Sequence, residues 1–407
     1  MEHRSDAIKR HLDEFFKHPR FDCRVTRFIT LIPCLLTGGT EIAALDTAKV
    51  YIDSGYQVEV FVYYKEIDPI MRQTYIDAGI KLRLLGLKRQ TGLASSLNLA
   101  WSITRALGFR RYPLIWVQYM TPTLIPLLIA RLYSRRLIAA VHVAANHYSP
   151  TGKRRLRWLA TWWCDRFVCV SRTSMAGLFG DISNDRRLAE RVHVIPNAID
   201  MGAVEAATRR DWRAELGLGE STQLVGYVGR LAHNKGVDVL LKAAAHLAPK
   251  MPDVRWILVG AGEESYRLQA LVDEARIGHL VHFVGRLPRD AVYGAMKGFD
   301  IAVVPSREEG FGLTALEAMA CGVPLVASRV DSLREIVIEG KTGFLFALED
   351  SLELADCIES LASNSEFRLA LGTASARHAA SNYGRNTFSV HVSGLLAGLG
   401  LDQRARA

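Results

Sequence analysis

The stretch that decides the fold is residues 24–64, RVTRFITLIPCLLTGGTEIAALDTAKVYIDSGYQVEVFVYY. An apolar run at 24–33 precedes a glycine loop at 34–40, which leads into a helical pattern at 41–55 and a second apolar run at 57–64. A buried strand, a glycine loop, a helix and a second strand in this order are typical of the start of a doubly wound parallel sheet. This stretch alone therefore predicts an α/β fold.

The same alternation of apolar runs and helical patterns continues along both halves of the chain. Further candidate strands of the first half are 114–119, 137–143, 166–171 and 191–197. After a polar, glycine-containing linker, the candidate strands are 223–229, 254–260, 281–285, 300–306, 324–328 and 343–346. Ligands of open parallel sheets bind beyond the carboxyl ends of the strands. We predict two Rossmann-like doubly wound domains that face each other across a cleft.

The composition is that of a globular chain with more than one core. Its 407 residues exceed an ordinary single domain, and 49% of them are hydrophobic. No apolar run reaches the ~18–20 residues that span a bilayer. Charged residues at the N-terminus stand where a signal peptide has its apolar segment. We therefore expect a cytoplasmic protein. The scattered cysteines and histidines lack zinc-site spacing, so we expect no structural metal.

The positive charge of the chain is concentrated in its first half. Residues 1–200 contain 29 Lys and Arg against 17 Asp and Glu, whereas 201–407 contain 22 against 25. The segment 78–164 contains fourteen Lys and Arg and no carboxylate. Charge of one sign on one domain indicates a partner or a surface of the opposite charge.

Basic and aromatic residues are grouped in 149–166, SPTGKRRLRWLATWWCDR. On one helix, four of them at spacings of three and four form an aromatic stripe with basic flanks: Arg155, Trp158, Trp162 and Arg166. This pattern is typical of a helix that lies in a membrane interface. The alternative is a helix packed on the core with a solvated charged edge. We expect peripheral contact of 149–166 with an anionic membrane, at the inner face of the cell membrane.

Two cations follow the first strand of the second half. Arg230 and Lys235 lie in a loop between the strand 223–229 and a predicted helix. Cations beside the unpaired N–H groups of a helix N-terminus suit a diphosphate. A solvated loop with incidental charges is the alternative for this loop taken alone.

Two carboxylates flank another predicted helix start, in SREEGFGLTALEAMACGVPLVAS at 306–328. Glu309 lies in the loop, and Glu317 lies about one turn inside a helix that begins near Leu313. The N–H groups at the helix start attract anions, and carboxylates accept hydrogen bonds from vicinal hydroxyls. A nucleotide-sugar has phosphate between two groups of hydroxyls, so it is the ligand that we predict.

The segments that carry these residues resemble the motifs of a known family. The segments GRLAHNKG, LVGAG, HFVGRL, DIAVVPSREEGFGLTALEAMACGVPLVAS and EGKTGFLF are similar to the successive motifs of retaining glycosyltransferases of family 4, which have the GT-B fold. The resemblance is dense over 223–346. In the first half it depends on TGGTE (37–41), AVHVA (140–144) and VIPNAID (194–200).

The resemblance implies roles for individual residues of the second domain. Arg230 and Lys235 are expected to hold the donor diphosphate, Glu309 the sugar hydroxyls and Glu317 the ribose. The backbone amides expected to face sugar and phosphate are those of Phe311, Gly312, Leu313 and Thr314. The residues expected to line the base are Arg286 and Leu287.

The first domain supplies three further candidates. His142 is similar to the family's histidine that reaches the donor sugar near its 6-hydroxyl, although Val143 follows where many relatives carry Asp or Gly. Gly38 and Gly39 are expected to let the backbone approach phosphate or acceptor, although this loop lacks the G-x-G-x-x-G spacing of a dinucleotide fold.

The resemblance also implies the reaction and the domain plan. It implies retaining hexosyl transfer from a nucleoside-diphosphate sugar to a lipid-linked, polysaccharide or lipopolysaccharide acceptor. The chain contains no D-x-D motif, and two cations at the leaving group can replace a metal ion, so we expect neither metal nor cofactor. We expect domains at 1–198 and 199–382, with a helix in 383–407 that crosses back to the first domain.

Two other functions remain open on the residues alone. A nucleotide-sugar epimerase or hydrolase of GT-B type would use the same diphosphate pocket without an acceptor. A nucleic-acid-binding protein would use the acid-free stretch 78–164, but its tryptophans lie largely in apolar contexts rather than along a basic groove. We therefore expect no nucleic-acid partner.

Overall fold

The computed structural model describes residues 27–36, 38–118 and 124–401. The chain divides into two units. The first contains the described residues up to Val170, then Met175–Ile195 and the residues from Ser389 onward, and the second contains Ser171–Ser174 and Pro196–Phe388. Parts of the predicted strands 24–33 and 114–119, and Thr37 of the TGGTE motif, lie outside the described residues.

The first unit is built on a seven-stranded parallel sheet with the order β3-β2-β1-β4-β5-β6-β7. In chain order its elements are β1 (Arg27–Ile32), α1 (Gly39–Asp53), β2 (Gln57–Tyr64), α2 (Pro69–Asp77), β3 (Lys81–Leu87), α3 (Leu93–Leu107), β4 (Tyr112–Gln118), α4 (Ile125–Tyr133), β5 (Ser134–Val141), α5 (Pro150–Trp158), a π-helical turn (Leu159–Trp163), β6 (Arg166–Cys169), α6 (Arg172–Phe179), α7 (Arg186–Arg191) and β7 (Val192–Val194). The first three residues of α6 group with the second unit.

The second unit contains a six-stranded parallel sheet with the order β10-β9-β8-β11-β12-β13. Its elements are α8 (Met201–Ala206), α9 (Trp212–Leu216), β8 (Gln223–Val228), α10 (Val237–Leu247), β9 (Val254–Val259), α11 (Ser265–Glu274), β10 (Val281–Gly285), α12 (Val292–Lys297), β11 (Ile301–Val304), α13 (Leu313–Ala320), β12 (Leu325–Ser328), α14 (Asp331–Ile336), β13 (Phe344–Phe346), α15 (Ser351–Ser363), α16 (Ser365–Tyr383) and α17 (Arg385–Ala397), of which α17 continues into the first unit.

The predicted fold class is confirmed, since each unit is a Rossmann-like parallel sheet with helical crossovers. One strand was not predicted. Lys81–Leu87 forms β3 at the edge of the first sheet, where each of its residues is partly buried or exposed. An edge strand needs no continuous apolar run, so the pattern that reveals buried strands passes over it.

The predicted single helix over 149–166 is wrong at its C-terminal end. It begins as predicted, because Pro150 occupies the first turn and the Ser149 hydroxyl accepts a hydrogen bond from the Gly152 N–H at 3.1 Å. The helix ends at Trp158 and continues as the π-helical turn. Arg166 begins strand β6, so it does not belong to the stripe of Trp158 and Trp162.

Both sheets reverse their winding direction at one place. In the second unit this switch lies between β8 and β11, and in the first unit it lies between β1 and β4. The loops that leave these strands diverge to opposite faces of the sheet and leave room for a ligand at the carboxyl edge. The loops after β8 and β11 carry three of the four charged residues singled out in the second domain, and Glu317 lies in the helix that follows the second loop.

Helix α17 leads the chain from the second unit into the first. The residues from Ser389 onward group with the first unit, and they include four buried side chains: Val392, Leu395, Leu396 and Leu399. Arg166 donates a hydrogen bond to the Gly398 carbonyl at 3.0 Å, and the Tyr56 hydroxyl donates to the Leu401 carbonyl. Among the described helices, none is both long and apolar enough to cross a bilayer.

Deleting 386–407 is expected to destabilise the protein strongly. Each buried aliphatic side chain contributes roughly 1.5–3 kcal/mol, so we expect the melting temperature to fall by at least about 10 °C or the protein to become insoluble. Differential scanning fluorimetry measures this, with deletion of 402–407 alone as the control. Unchanged melting and activity in the longer deletion would show that the segment is a dispensable tail.

Candidate functional site

The loop after β8 presents two cations at the switch of the second sheet. Arg230 is exposed, and its carbonyl accepts a hydrogen bond from the Tyr227 hydroxyl at 2.9 Å. Lys235 ends a short 3-10 turn, and α10 begins two residues later. The turn closes at Gly236, whose φ of 65° favours glycine.

Lys235 and Glu309 meet across the switch. The Lys235 Nζ lies 2.5 Å from Glu309 Oε1, and the Ser306 hydroxyl donates to the same oxygen at 2.9 Å. The two loops approach so closely that a Cβ added at Gly236 would lie 1.9 Å from the Pro305 carbonyl oxygen. The sheet topology therefore places Lys235, predicted to bind phosphate, and Glu309, predicted to bind sugar hydroxyls, in one ion pair.

The charges of Arg230 and Glu309 both act on one buried phenol. Burial raises the pKa of the Tyr227 hydroxyl, the Glu309 carboxylate raises it further, and the Arg230 guanidinium lowers it. Both charged groups therefore lie near Tyr227. Tyr227 is 2% exposed, and its hydrogen bond to the Arg230 carbonyl helps to fix the loop after β8.

The N-terminus of α13 lies beside Glu309. The helix begins at Leu313 as predicted, with Gly312 in the N-cap position and no side chain over the cap. The first N–H groups of a helix have no acceptor within it and carry partial positive charge. Phe311 is buried, whereas Leu313 and Thr314 are partly exposed. This helix end can therefore receive an anion or a hydroxyl oxygen.

Glu317 has a protein partner that the sequence did not reveal. Glu317 is 3% exposed, and its carboxylate accepts a hydrogen bond from Arg289, whose guanidinium also donates to the Tyr293 hydroxyl at 3.3 Å. The resemblance implies a ribose contact for Glu317 and does not reveal this side-chain partner. Arg289 follows β10 and orients the carboxylate inside the site. Arg286 and Leu287, the predicted base-lining residues, lie between β10 and Arg289; Arg286 is exposed and Leu287 is partly exposed.

Arg307 ties the two loops together. Its guanidinium donates two hydrogen bonds to Asp238, at 2.8 and 2.9 Å, and one to the His233 carbonyl at 2.6 Å. It also pairs with Glu349 at 2.5 Å. Burial raises the pKa of the Asp238 carboxyl, but the hydrogen bonds from Arg307 hold it below the ordinary value. Arg307 therefore fixes the turn that carries Lys235, a role that its position in SREEG did not suggest.

In the first unit, His142 follows β5 and contacts the last residue of the neighbouring strand β4. Its Nε2 lies 2.5 Å from Oε1 of Gln118, a residue that is 1% exposed. Since that oxygen only accepts, Nε2 carries the proton and Nδ1 carries the lone pair. Within the described residues, Nδ1 is buried and has no hydrogen-bond partner. The ring can accept one hydrogen bond from a ligand hydroxyl.

The glycine loop of the first unit is closed by a buried carboxyl. Gly38 is the N-cap of α1 and Gly39 is its first residue. Glu41 is 2% exposed and accepts hydrogen bonds from the Leu36 N–H at 3.3 Å and the Cys34 thiol at 3.4 Å. A Cβ at Gly38 would lie 2.6 Å from Glu41 Oε2. Burial raises the pKa of this carboxyl. The Glu41 carboxyl therefore lies close to Cys34, Leu36 and Gly38.

Some of the predicted residues of the second unit lie together, and the structure adds three residues that the sequence did not single out. Lys235, Glu309 and the start of α13 share one sheet edge. The added residues are Gln118, Arg289 and Arg307. Gln118 is the last residue of β4, which pairs with β5, the strand before His142. The sequence could have revealed Gln118, because it lies near the end of the predicted strand 114–119. In the part of the chain that the structure describes, no three of His, Cys, Asp and Glu gather as a metal site.

Burial of His142 is expected to make stability depend on pH. Burial lowers the pKa of this histidine from 6.5 to about 4. The contribution of the neutral ring to stability is complete above pH 6.5 and is lost as the pH falls toward about 4, because the unfolded chain takes up the proton first. The shift corresponds to about 3 kcal/mol. Urea unfolding of the protein and of His142→Gln across this range measures the difference, and parallel pH profiles would contradict it.

Solved structures share this fold. They include the Anabaena protein Alr3699/HepE in complex with UDP and glucose, with a TM-score of 0.77 and 23% identity over 91% of this chain and 99% of that one. They also include sucrose-phosphate synthase from Thermosynechococcus elongatus, with a TM-score of 0.76 and 22% identity over 92% and 99%. With the motifs of the site, the fold places the chain in the GT-B class of glycosyltransferases.

Family models and curated relatives agree with this class. The model described as Glycosyltransferase Family 4 matches residues 37–202, and the model described as Glycosyl transferases group 1 matches 208–378. The chain belongs to the glycosyltransferases of family 4. It is 28% identical over 384 residues to the D-inositol 3-phosphate glycosyltransferase of Corynebacterium urealyticum, over 86% of this chain and 88% of the relative. With the same enzyme of Corynebacterium jeikeium the identity is 37% over 200 residues, 46% of this chain and 48% of the relative, so there the alignment spans about half of the relative.

Proposed function

We propose that the chain transfers a hexose-type sugar, with retention, from a nucleoside-diphosphate sugar to an acceptor hydroxyl. The observation that carries the proposal is the Lys235–Glu309 pair beside the start of α13, at the switch of the second sheet. A cation, helix N–H groups and a carboxylate at one edge match phosphate and sugar hydroxyls. Family membership supports the same reaction class.

The donor has a consistent position at this edge. Arg230 and Lys235 face the diphosphate, and the N–H groups at the start of α13 add to the positive potential. Glu309 keeps acceptor capacity for sugar hydroxyls although it pairs with Lys235. Glu317, oriented by Arg289, accepts from the ribose hydroxyls. In the first unit, the lone pair on His142 Nδ1 suits a sugar hydroxyl, the role that the family resemblance assigns to it.

In the proposed reaction the acceptor oxygen is the nucleophile, so no side chain has to act as one. The main task of the protein is to stabilise the leaving group. The acceptor oxygen forms a bond to the anomeric carbon on the face from which the nucleoside diphosphate departs. The bond between that carbon and the phosphate oxygen breaks, and the acceptor proton passes to the leaving phosphate. Negative charge grows on the diphosphate, where Arg230 and Lys235 stabilise it. We propose that these cations make a metal ion unnecessary.

The base of the donor nucleotide and the identity of the acceptor are best determined by screening. HepE is described in complex with UDP and glucose, so UDP-glucose is the first donor to try. The named curated relatives are D-inositol 3-phosphate glycosyltransferases, and D-inositol 3-phosphate is an anionic acceptor that suits the acid-free stretch 78–164 of the first unit. Lipid-linked and polysaccharide acceptors are the second group, which the membrane pattern of the sequence favours.

Thermal shift and product analysis test the proposal. UDP-, GDP- and ADP-sugars are added in turn, and a bound donor at about 100 times its Kd stabilises by roughly 2.7 kcal/mol. Nucleotide release is then followed with and without acceptor, and the anomeric configuration of the product is read by NMR. Release without any acceptor would favour the hydrolase or epimerase alternative. No stabilisation by any nucleotide-sugar would contradict the proposal.

A further inference from the structure

Helix α3 is apolar on its outer side as well as its inner side. Leu93, Leu97 and Trp101 follow one another at intervals of four residues, and all are exposed. Residues four apart lie one turn above each other, so these side chains form one stripe. Leu99 and Ile103, on the inner side, are buried in the core. A helix with two apolar sides needs a partner for the outer one.

The same arrangement recurs on the two neighbouring segments. The exposed pairs, again four residues apart, are Leu128 and Leu132 on α4, and Trp158 and Trp162 on α5 and the π-helical turn. The segments are adjacent, since α3 packs on α4 and the Trp163 Nε1 donates to the Leu127 carbonyl at 3.3 Å. The tryptophan face comprises Leu93, Leu97, Trp101, Leu128, Leu132, Trp158 and Trp162, with exposed fractions from 37% to 77%.

The inner sides of all three segments belong to one core. Ile103 of α3, Leu127 of α4, and Leu156 and Leu159 beside the tryptophans are all buried in the same cluster. The three segments therefore cover the same face of the first sheet. Their exposed apolar residues therefore lie on neighbouring segments of the same layer.

Cations surround this surface. Arg154 and Arg155 are exposed on α5, and the Arg187 guanidinium lies 4.0 Å from the centre of the Trp162 ring. A surface cavity of about 550 Å³ lies here, and three arginines and one carboxylate line it together with Trp158, Thr161 and Trp162: Arg154, Arg157, Arg187 and Asp185. An anionic head group matches such a lining, because guanidinium groups bind phosphate and indole rings lie at head-group depth.

Two carboxylates beside these segments are held in ion pairs. Asp165 pairs with Arg131 and Arg136, at 2.8 and 3.2 Å. Asp185 pairs with Arg157 at 2.9 Å. Residues 78–164 contain no carboxylate, so even with Asp165 and Asp185 included the three segments carry more cations than carboxylates. An apolar surface with a cationic border is complementary to an anionic bilayer, and two copies of it would repel each other.

We propose that the tryptophan face binds the surface of an anionic lipid bilayer. The indoles and leucines enter the interface, and Arg154, Arg155 and Arg187 contact lipid phosphates. The proposal does not rest on sugar transfer, because binding requires neither donor nor acceptor. It extends the sequence-based expectation for 149–166 to α3 and α4, and it excludes Arg166, which lies in β6.

Co-sedimentation of the full chain with vesicles tests the proposal in the absence of any nucleotide-sugar. Vesicles of phosphatidylcholine alone are compared with vesicles that also contain phosphatidylglycerol, at low and high salt. We expect binding to the anionic vesicles at low salt and at least about tenfold weaker binding at high salt. Trp101→Ser/Trp162→Ser and Arg154→Glu/Arg155→Glu are each expected to weaken binding at least about tenfold. Arg157 is left intact because it pairs with Asp185.

Matched controls come from exposed positions of the second unit. Tyr266→Ser/Leu369→Ser removes two exposed apolar side chains, and Arg209→Glu/Arg377→Glu makes the same change in charge. Both controls are expected to bind like the unchanged protein, and all variants to melt alike. The proposal is overturned if the unchanged protein ignores anionic vesicles, or if controls and face variants lose binding equally. A dimer that Trp101→Ser/Trp162→Ser dissociates, without vesicle binding, would assign the face to a second copy instead.

Discussion

Replacing Arg230 and Lys235 together by alanine is expected to lower kcat/KM for sugar transfer by about 10³- to 10⁵-fold, since each group that stabilises developing charge contributes on the order of 10²–10³. Both cations lie in the loop after β8, and Lys235 is held in place by Glu309 at 2.5 Å. Without them, charge on the leaving diphosphate is stabilised only by the helix N–H groups. The loss should fall mainly on kcat, because the charge develops in the transition state.

The measurement is nucleotide release in the presence of donor and acceptor, with circular dichroism to verify the fold. Arg209→Ala/Lys242→Ala is the matched control, since it removes one Arg and one Lys from exposed positions of the same unit. Lys235→Arg retains the charge and is expected to recover part of the rate. Turnover near that of the unchanged protein in the folded double variant would remove the diphosphate assignment.

Replacing Glu317 by alanine is expected to weaken donor binding about 30- to 100-fold, which corresponds to losing charged hydrogen bonds to the ribose. It also leaves Arg289 without its carboxylate partner. The side chain of Arg289 is 29% exposed, so we expect a moderate loss of stability, about 1–3 kcal/mol. The two effects have different causes and can therefore be separated.

The separation requires the second variant Glu317→Ala/Arg289→Ala. Removing both partners is expected to restore much of the stability without restoring donor affinity, because no arginine that has lost its carboxylate partner then remains. Melting temperature and donor Kd by calorimetry give the two readouts, and Glu274→Ala on the exposed side of α11 is the control. Full recovery of donor affinity in the double variant would mean that Glu317 serves only to hold Arg289.

Glu317 shows which features of the candidate site could be predicted from the sequence and which could not. Its place inside the first turns of α13 was predicted from spacing, and α13 does begin at Leu313. Its contact with Arg289 was not predicted, because 28 residues separate the two and a helix period says nothing about a partner on another element. Likewise, Arg307 reaches Asp238 across 69 residues, and His142 reaches Gln118 across 24.

The tryptophan face was also only partly predictable from the sequence. The aromatic stripe at Trp158 and Trp162 was visible in the spacing, yet α3 and α4 were not suspected of sharing it. An apolar residue on a helix is buried or exposed according to what packs on that side, and Leu97 and Leu99 are only two positions apart but have opposite environments. Placement of Arg166 in β6 likewise followed from the sheet and not from the local pattern.

The sequence by itself determined the alternation of strands and helices, the two Rossmann-like units, the segments that carry Arg230, Lys235, Glu309 and Glu317, and the uneven charge. These features depend on periodicity and residue type within short windows, which the chain encodes locally. Only the tertiary structure decided which charges are paired and which apolar side chains remain exposed. Such contacts form when the order of the strands brings distant loops to one edge of a sheet, and desolvation there then fixes the partner of each charge.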